Sequence, residues 1–363
     1  MTILSLLQKK KVASASLDRM AWRRFCRNPL AVASLVVIAL FALVAVLGYL
    51  ITPDHTPYCN PQYPELATPK PGSKATLLCT ADSSLDAARA PLLRRMTKGE
   101  PLHYTVTPIL NYSYARDTLV ATPYHGESLV VPRSQVVKVE QRTFLLGTDA
   151  YGRDVLSMLI IGSRVSLSVG FIAIAIALLI GITLGALAAY HGGWVDNLIL
   201  WLINVVWSIP TVLLVIAITF ALGKGFWQIF VAVGLTMWVD IARVVRGQVY
   251  SIKEKEYVEA ARALGYSPFR TIFHHILPNI TGAVIVVAAS NFASAILLEA
   301  GLSFLGIGVQ PPMPSWGTMV KENYSYILLD NAYLALLPGL AIMLLVLAFM
   351  LLGNGIRDAL DVK

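Results

Sequence analysis

Six apolar stretches, each about 20 residues long, set the terms for everything this chain can fold into. They run over residues 29–51, 166–190, 197–222, 226–245, 280–298 and 332–353, and each is long enough to cross a hydrocarbon core about 30 Å thick. The fourth is interrupted near its end by Asp240 and Arg243. Only 14% of the residues are charged and 56% are hydrophobic, whereas soluble domains carry about 25% charged residues. A membrane protein follows. A seventh uncharged run, residues 300–320, is different. Gly301, Gly306, Gly308, Pro311, Pro312 and Pro314 leave it unable to keep a helix bonded in lipid, and it reads as a re-entrant or interfacial segment.

A formal charge of +8 could point to nucleic acid, but the basic residues gather beside the apolar runs instead of forming one patch. No nucleic-acid partner is expected. Lys9, Lys10, Lys11, Arg19, Arg23, Arg24 and Arg27 precede the first span; Arg243, Arg246, Lys253, Lys255, Arg262 and Arg270 lie near or between the fourth and fifth. The positive-inside rule places both groups, and with them both termini, in the cytoplasm. The first apolar run, 23 residues long, begins well inside the chain with no clear cleavage site after it, so it reads as a span and not a signal peptide.

Residues 1–28 form a basic amphipathic entry. Leu17, Met20, Ala21, Trp22 and Phe25 make its apolar side, suited to lie on lipid at the inner membrane surface. A disordered tail carrying a topogenic charge cluster is the alternative for the first dozen residues. Residues 52–145 change character: prolines recur at 53, 57, 61, 64, 69 and 71, and runs such as 128–131 and 135–139 are strand-like. A small extracytoplasmic domain, α+β or mostly β, fits between the first two spans. Cys59 and Cys79 both lie in it, while Cys26 is cytoplasmic by this topology, so a Cys59–Cys79 disulfide is expected on the oxidising side. With only His55 nearby, a metal site is not.

Four further tracts carry local information. Residues 256–279 read EYVEAARALGYSPFRTIFHHILPN. A helix over 256–264 should end at Gly265 in a left-handed cap. Ser267 caps a second helix with Pro268 in its first position. Phe269, Ile272, Phe273 and Ile276 form its apolar stripe, and Pro278 closes it. Residues 146–154, LGTDAYGRD, read as a tight turn. In it Asp149 and Asp154 bond backbone amides or Arg153, and Gly152 bends the chain. Residues 302–317 read LSFLGIGVQPPMPSWG, and residues 357–361 read RDALD.

Together these tracts resemble the permease subunits of bacterial ATP-binding-cassette importers, in the oligopeptide, dipeptide and nickel branch and of the C type. The resemblance covers residues 16–51 and 145–361 and leaves the inserted domain unmatched. It implies an all-α polytopic type I importer permease fold of six transmembrane helices in the bacterial inner membrane. The permease core is residues 146–363. A homologous second permease, two ATP-binding subunits and an extracytoplasmic solute-binding protein are the implied partners. The hairpin is then the coupling element that docks on the ATPase: Glu259 makes a polar contact, Ala260 and Ala261 allow close approach, Gly265 makes the turn, and Leu277 and Pro278 complete the motif. Transport would proceed by alternating access.

The sequence agrees on one further count. It contains no GxxxxGK[ST] phosphate loop, and Gly223-Lys224-Gly225 is not one, so no ATPase site, catalytic residue, cofactor or metal is expected in this chain. Pro210 should kink the third span, and either lines the pathway or serves packing. Glu299, placed at the end of the fifth span, is a pathway or gate candidate that could instead pair with backbone or a partner subunit. Gly181, Gly185, Ala186 and Ala189 are small residues suited to close helix contact. Two other classes remain: an ion-coupled secondary transporter, which should carry more ionisable groups within its spans, and a membrane-anchored sensor, which needs no coupling hairpin. Within the family, nickel or another non-peptide solute is the alternative cargo.

Overall fold

The computed structural model describes residues 19–82, 91–223 and 225–360. Residues 1–18 of the basic entry, with Lys9, Lys10, Lys11 and Leu17, lie outside them, as do Lys224 and Asp361. Among the described residues, helices Pro29–Ile51, Val155–His191, Phe226–Lys253, Pro268–Phe304 and Tyr333–Leu360 are long and apolar enough to cross a membrane. Gly193–Ser208 and Thr211–Leu222 make a sixth span if taken as one, but they are bent by 94°. The expected third span is thus two helices. Ile209 and Pro210 separate them because proline brings no N–H and disfavours helical backbone in the residue before it.

Contacts group the chain into two units, one of residues up to Leu40, Ser168–Glu299 and from Ile342, the other of Phe41–Leu167 and Ala300–Ala341. The first is helical. Residues 19–27 are helical, and Phe25 packs with Ala31 and Ala359. Gly181 and Gly185 lie directly on Ile241 and Ala242, with Ala186 and Ala189 buried beside them. Small side chains here let two helix backbones approach closely, in lipid a main source of helix association.

The second unit holds a five-stranded antiparallel sheet in the order β4-β3-β2-β1-β5. The strands are β1 Ser73–Ala81, β2 Tyr104–Ala115, β3 Thr118–Pro123, β4 Leu129–Pro132 and β5 Val136–Phe144. In register, Leu77 faces Pro108 on β2 and Glu140 on β5. Because side chains alternate across a strand, Leu77 joins Ala75 and Phe144 in one core with Tyr63 and Leu66, while Leu78 joins Ile109, Leu119 and Ala121 in another. The short helix Leu92–Lys98 precedes β2.

The expected disulfide is not formed. Cys59 and Cys79 are both free and fully buried. The Cys59 thiol donates to the Asp54 carbonyl at 3.1 Å, within a turn where Tyr58 and Cys59 both have positive φ. Cys79 is fixed separately in the sheet between Val106 of β2 and Lys138 of β5. Burial pushes the Cys79 thiol up to about 11 and the Cys59 thiol higher still, so both stay protonated.

Candidate functional site

The hairpin forms as two helices with defined ends. Glu256–Ala263 is followed by Gly265 at φ +76°, and the amides of Gly265 and Tyr266 donate to Arg262 O (2.9 Å) and Ala261 O (3.1 Å). That pair of bonds is a Schellman motif, and it requires the left-handed backbone that only glycine adopts without steric cost. Ser267 then caps Pro268–Thr271, its hydroxyl accepting from the Arg270 amide.

Pro278 does not end this second helix. A π-helical turn, Ile272–Ile276, carries the chain into Leu277–Phe304, so residues 268–304 form one helical run. The wider turn accommodates the proline, which lacks an amide and clashes with a regular preceding turn. Asn279 Nδ2 donates to the His275 carbonyl at 2.7 Å. The expected close of the fifth span at Glu299 is likewise corrected, because the helix runs on to Phe304 and Glu299 is fully buried within the chain.

The expected apolar stripe splits in two. Val258, Ala261, Ile272 and Ile276 face inward and are buried. Leu264, Phe269 and Phe273 face outward at 74%, 68% and 49% exposure, and the two phenylalanine rings pack at 4.3 Å. Glu259 and Ala260 share the exposed side, whereas Ala261 belongs to the inner one. The inward residues fix the hairpin to its own subunit; the outward aromatic pair has no use within the subunit, and exposed apolar patches of this kind mark interaction surfaces.

The LGTDAYGRD turn is the opposite case. Asp149, Arg153 and Asp154 are all buried. Asp149 Oδ1 accepts from the amides of Tyr151 and Arg153 at 2.9 Å each, and its Oδ2 accepts from Arg153 Nε at 2.7 Å. Arg153 also bonds Glu322. Burial alone would lower its affinity for a proton, but Asp149 and Glu322 outweigh it and hold the guanidinium firmly charged. Asp154 accepts from the Ser157 amide at 3.0 Å and so caps the helix Val155–His191. Gly152, at φ +75°, sits so close to Tyr63 O that no side chain fits. With Tyr63 N donating to Tyr151 O and Thr68 N to Asp149 O, the turn is a structural clasp, its charges turned inward to its own amides and to Glu322.

Residues 302–317 form a second clasp. The amides of Ile307 and Gly308 both donate to Leu302 O at 2.9 Å, and Val309 N donates to Ser303 Oγ at 3.1 Å. Ser315 and Thr318 form a capping box on the helix Trp316–Asn323, and buried Trp316 donates to Leu159 O at 2.9 Å.

A charged cleft of about 580 Å³ opens over one face of the sheet, among residues that include Asp54, His55, Glu100, His103, Lys138, Glu140 and Arg142. Burial would raise the Glu140 carboxyl, but Lys138 and Arg142, bonded to it at 2.5 and 2.9 Å, hold it below the usual range. No local sequence pattern marks this cleft, since its walls come from three separate segments.

Comparison with known proteins places this architecture. Residues 181–363 match the model of the binding-protein-dependent transport system inner membrane component, and residues 16–69 match the N-terminal TM domain of oligopeptide transport permease C. The dipeptide transport system permease protein DppC of Alkalihalophilus pseudofirmus is 43% identical over 217 residues, 60% of this chain and 71% of the relative. The glutathione transport system permease protein GsiD of Pectobacterium atrosepticum is 41% identical over 60% of this chain and 72% of its own length. The oligopeptide transport system permease protein OppC of Bacillus subtilis is 37% identical over 60% and 71%. Among solved structures, the inward-facing MetNI methionine ABC transporter covers 56% of this chain and 96% of its own at 20% identity and a TM-score of 0.46, too low a likeness to carry weight. On the two family models and the relatives together, the chain belongs to the binding-protein-dependent transport system inner membrane components, as a multi-pass permease subunit of the ABC importer type.

Proposed function

We propose that this chain is the C-type permease of a bacterial inner-membrane importer for peptides, working with a homologous permease, two ATP-binding subunits and an extracytoplasmic solute-binding protein. The observation that carries this reading is the hairpin's outward face, where Leu264, Phe269 and Phe273 are exposed beside Glu259 and Ala260 while the inner face is fully used. The basic residues around it put that face in the cytoplasm, with both termini. There it serves as a handle: closure of the ATPase subunits moves the hairpin, and its unbroken run into Leu277–Phe304 passes the motion to the membrane helices. Glu259 makes a polar contact to the ATPase, Gly265 keeps the handle's shape, and Leu277 and Pro278 join it to the helix. Ala261 serves the handle's attachment.

The sheet-bearing segment between the first two long helices then lies outside the cytoplasm, positioned toward the binding protein. The break at Pro210 borders the pathway, and Glu299, buried in the helix Leu277–Phe304, is a gate candidate. A peptide cargo is supported by the names of the dipeptide, oligopeptide and glutathione relatives. Purification in mild detergent tests the assembly: an ATPase and a second permease should stay bound, and recovery of this chain alone would overturn it. Uptake of labelled dipeptide by the reconstituted complex with its binding protein tests the cargo.

A further inference from the structure

The break in the bent helix pair opens on a cavity of about 270 Å³ whose lining includes Trp207, Thr211, Thr236, Asp240 and Ser294. Asp240 is the fifteenth of the 28 residues of Phe226–Lys253, about 20 Å from either end of that helix at 1.5 Å per residue. A carboxylate inside the apolar stretch 226–245 is costly unless it faces water or protein, and Asp240 is exposed on this subunit. Arg243 lies one turn away. Its guanidinium stacks on Trp207 at 3.5 Å and donates to Asn204 Oδ1, and among the described residues no hydrogen bond or ion pair within 4 Å joins it to Asp240. The same cavity receives the last turn of Gly193–Ser208, from which Val206 and Trp207 line it. A helix C-terminus carries partial negative charge on its carbonyls, and here the last turn is closed by the Ile209 amide donating to Val206 O at 3.3 Å. A carboxylate and a negative helix end therefore meet in one cavity.

We infer that this cavity is a binding site for the cationic group of the transported solute, with Asp240 as the specificity-determining residue and Thr236 and Ser294 as neighbouring hydroxyls. Within the peptide-importer reading, on which the identity of the cargo rests, the group is the free ammonium of a peptide. Broken helices at mid-membrane depth suit this task, because their ends present backbone charge where a solute must shed water.

The test uses the assembled importer in a Cys26→Ser background, with partner cysteines removed and Thr211→Cys placed at the cavity. Its reaction rates with cationic 2-aminoethyl methanethiosulfonate and anionic 2-sulfonatoethyl methanethiosulfonate are each referred to free cysteine. A nearby carboxylate should favour the cation by about tenfold, with Asp240 or with Asp240→Glu, and Asp240→Asn should abolish the preference. An unchanged ratio in Asp240→Asn, or a Thr211→Cys thiol that neither reagent reaches, overturns the site. In a second arm, alanyl-alanine uptake into proteoliposomes should fall about tenfold in Asp240→Asn, equivalent to about 1.4 kcal/mol, and recover in Asp240→Glu. Equal uptake in Asp240→Asn overturns the role in selection. A wild-type complex that keeps the cation preference but takes up no alanyl-alanine supports the site and refutes the peptide cargo instead.

Discussion

Two charged, glycine-containing turns of this chain look alike in one dimension and do opposite things in three. LGTDAYGRD folds inward: Asp149, Arg153 and Asp154 are buried, and bond amides, a hydroxyl or one another. The 256–279 hairpin folds outward: its buried residues are Val258, Ala261, Thr271, Ile272 and Ile276, and its charges and two phenylalanines are left on the surface. A turn whose charged groups are buried has no surface to offer a partner. The hairpin satisfies its backbone through its caps and keeps Glu259, Leu264, Phe269 and Phe273 on its surface, which is what separates a clasp from a handle.

The comparison can be broken most forcefully at Arg153. Arg153→Ala leaves the Asp149 carboxylate buried beside a lost cation, and breaking a buried pair from one side costs about 3–5 kcal/mol. A large drop in the melting temperature of the detergent-solubilised protein is expected; an unchanged melt would mean the clasp is not structural. Gly265→Asp sharpens the other side. Open space surrounds Gly265, so the cost to folding is confined to the left-handed backbone, about 1–2 kcal/mol. The protein should insert and fold, yet transport per ATP hydrolysed should fall steeply in proteoliposomes; normal coupling would remove the handle.

A smaller and more selective effect is expected at the aromatic pair. Phe269→Ala with Phe273→Ala removes exposed rings, so the melt of the isolated subunit should stay within about 0.5 kcal/mol, the usual range for surface substitutions. Binding to the ATPase, followed by native mass spectrometry, should weaken by about 2 kcal/mol if the rings are hot-spot contacts. The smallest effect concerns the sheet unit. Alkylation at pH 8 should label exposed Cys26 and spare Cys59 and Cys79, because Cys79 forms its thiolate only near pH 11 and Cys59 higher still. Intact mass would also show a disulfide directly, if one formed.

Several parts of this fold were legible residue by residue. The caps at Gly265 and Ser267 depend on bonds within six residues, so their chemistry is written locally, and the clasp at Asp149 reaches its nearest amides within four. Errors came where distant segments compete. Pro278 reads as a helix stop, yet the π-helical turn before it absorbs the defect because the run must continue into a packed helix. The Cys59–Cys79 pairing was plausible by compartment, but the sheet register fixes Cys79 between Val106 and Lys138 while a separate turn fixes Cys59. β1, the strand that joins β2 to β5, was missed, because its threonines, leucines and single cysteine show no clean alternation: each face of it is buried in a different core.

The sequence by itself determined that the chain is a membrane protein, which segments are long and apolar enough to span, and where its hairpin turns, because hydropathy and capping act over short stretches of chain. Its tracts also pointed to the family. Only the tertiary structure decided which charges are spent and which are kept. Whether a side chain at 149, 240, 259 or 269 meets a partner inside the fold depends on residues brought from elsewhere in the chain, and the energy of a charge or ring is set by that company more than by its neighbours in sequence.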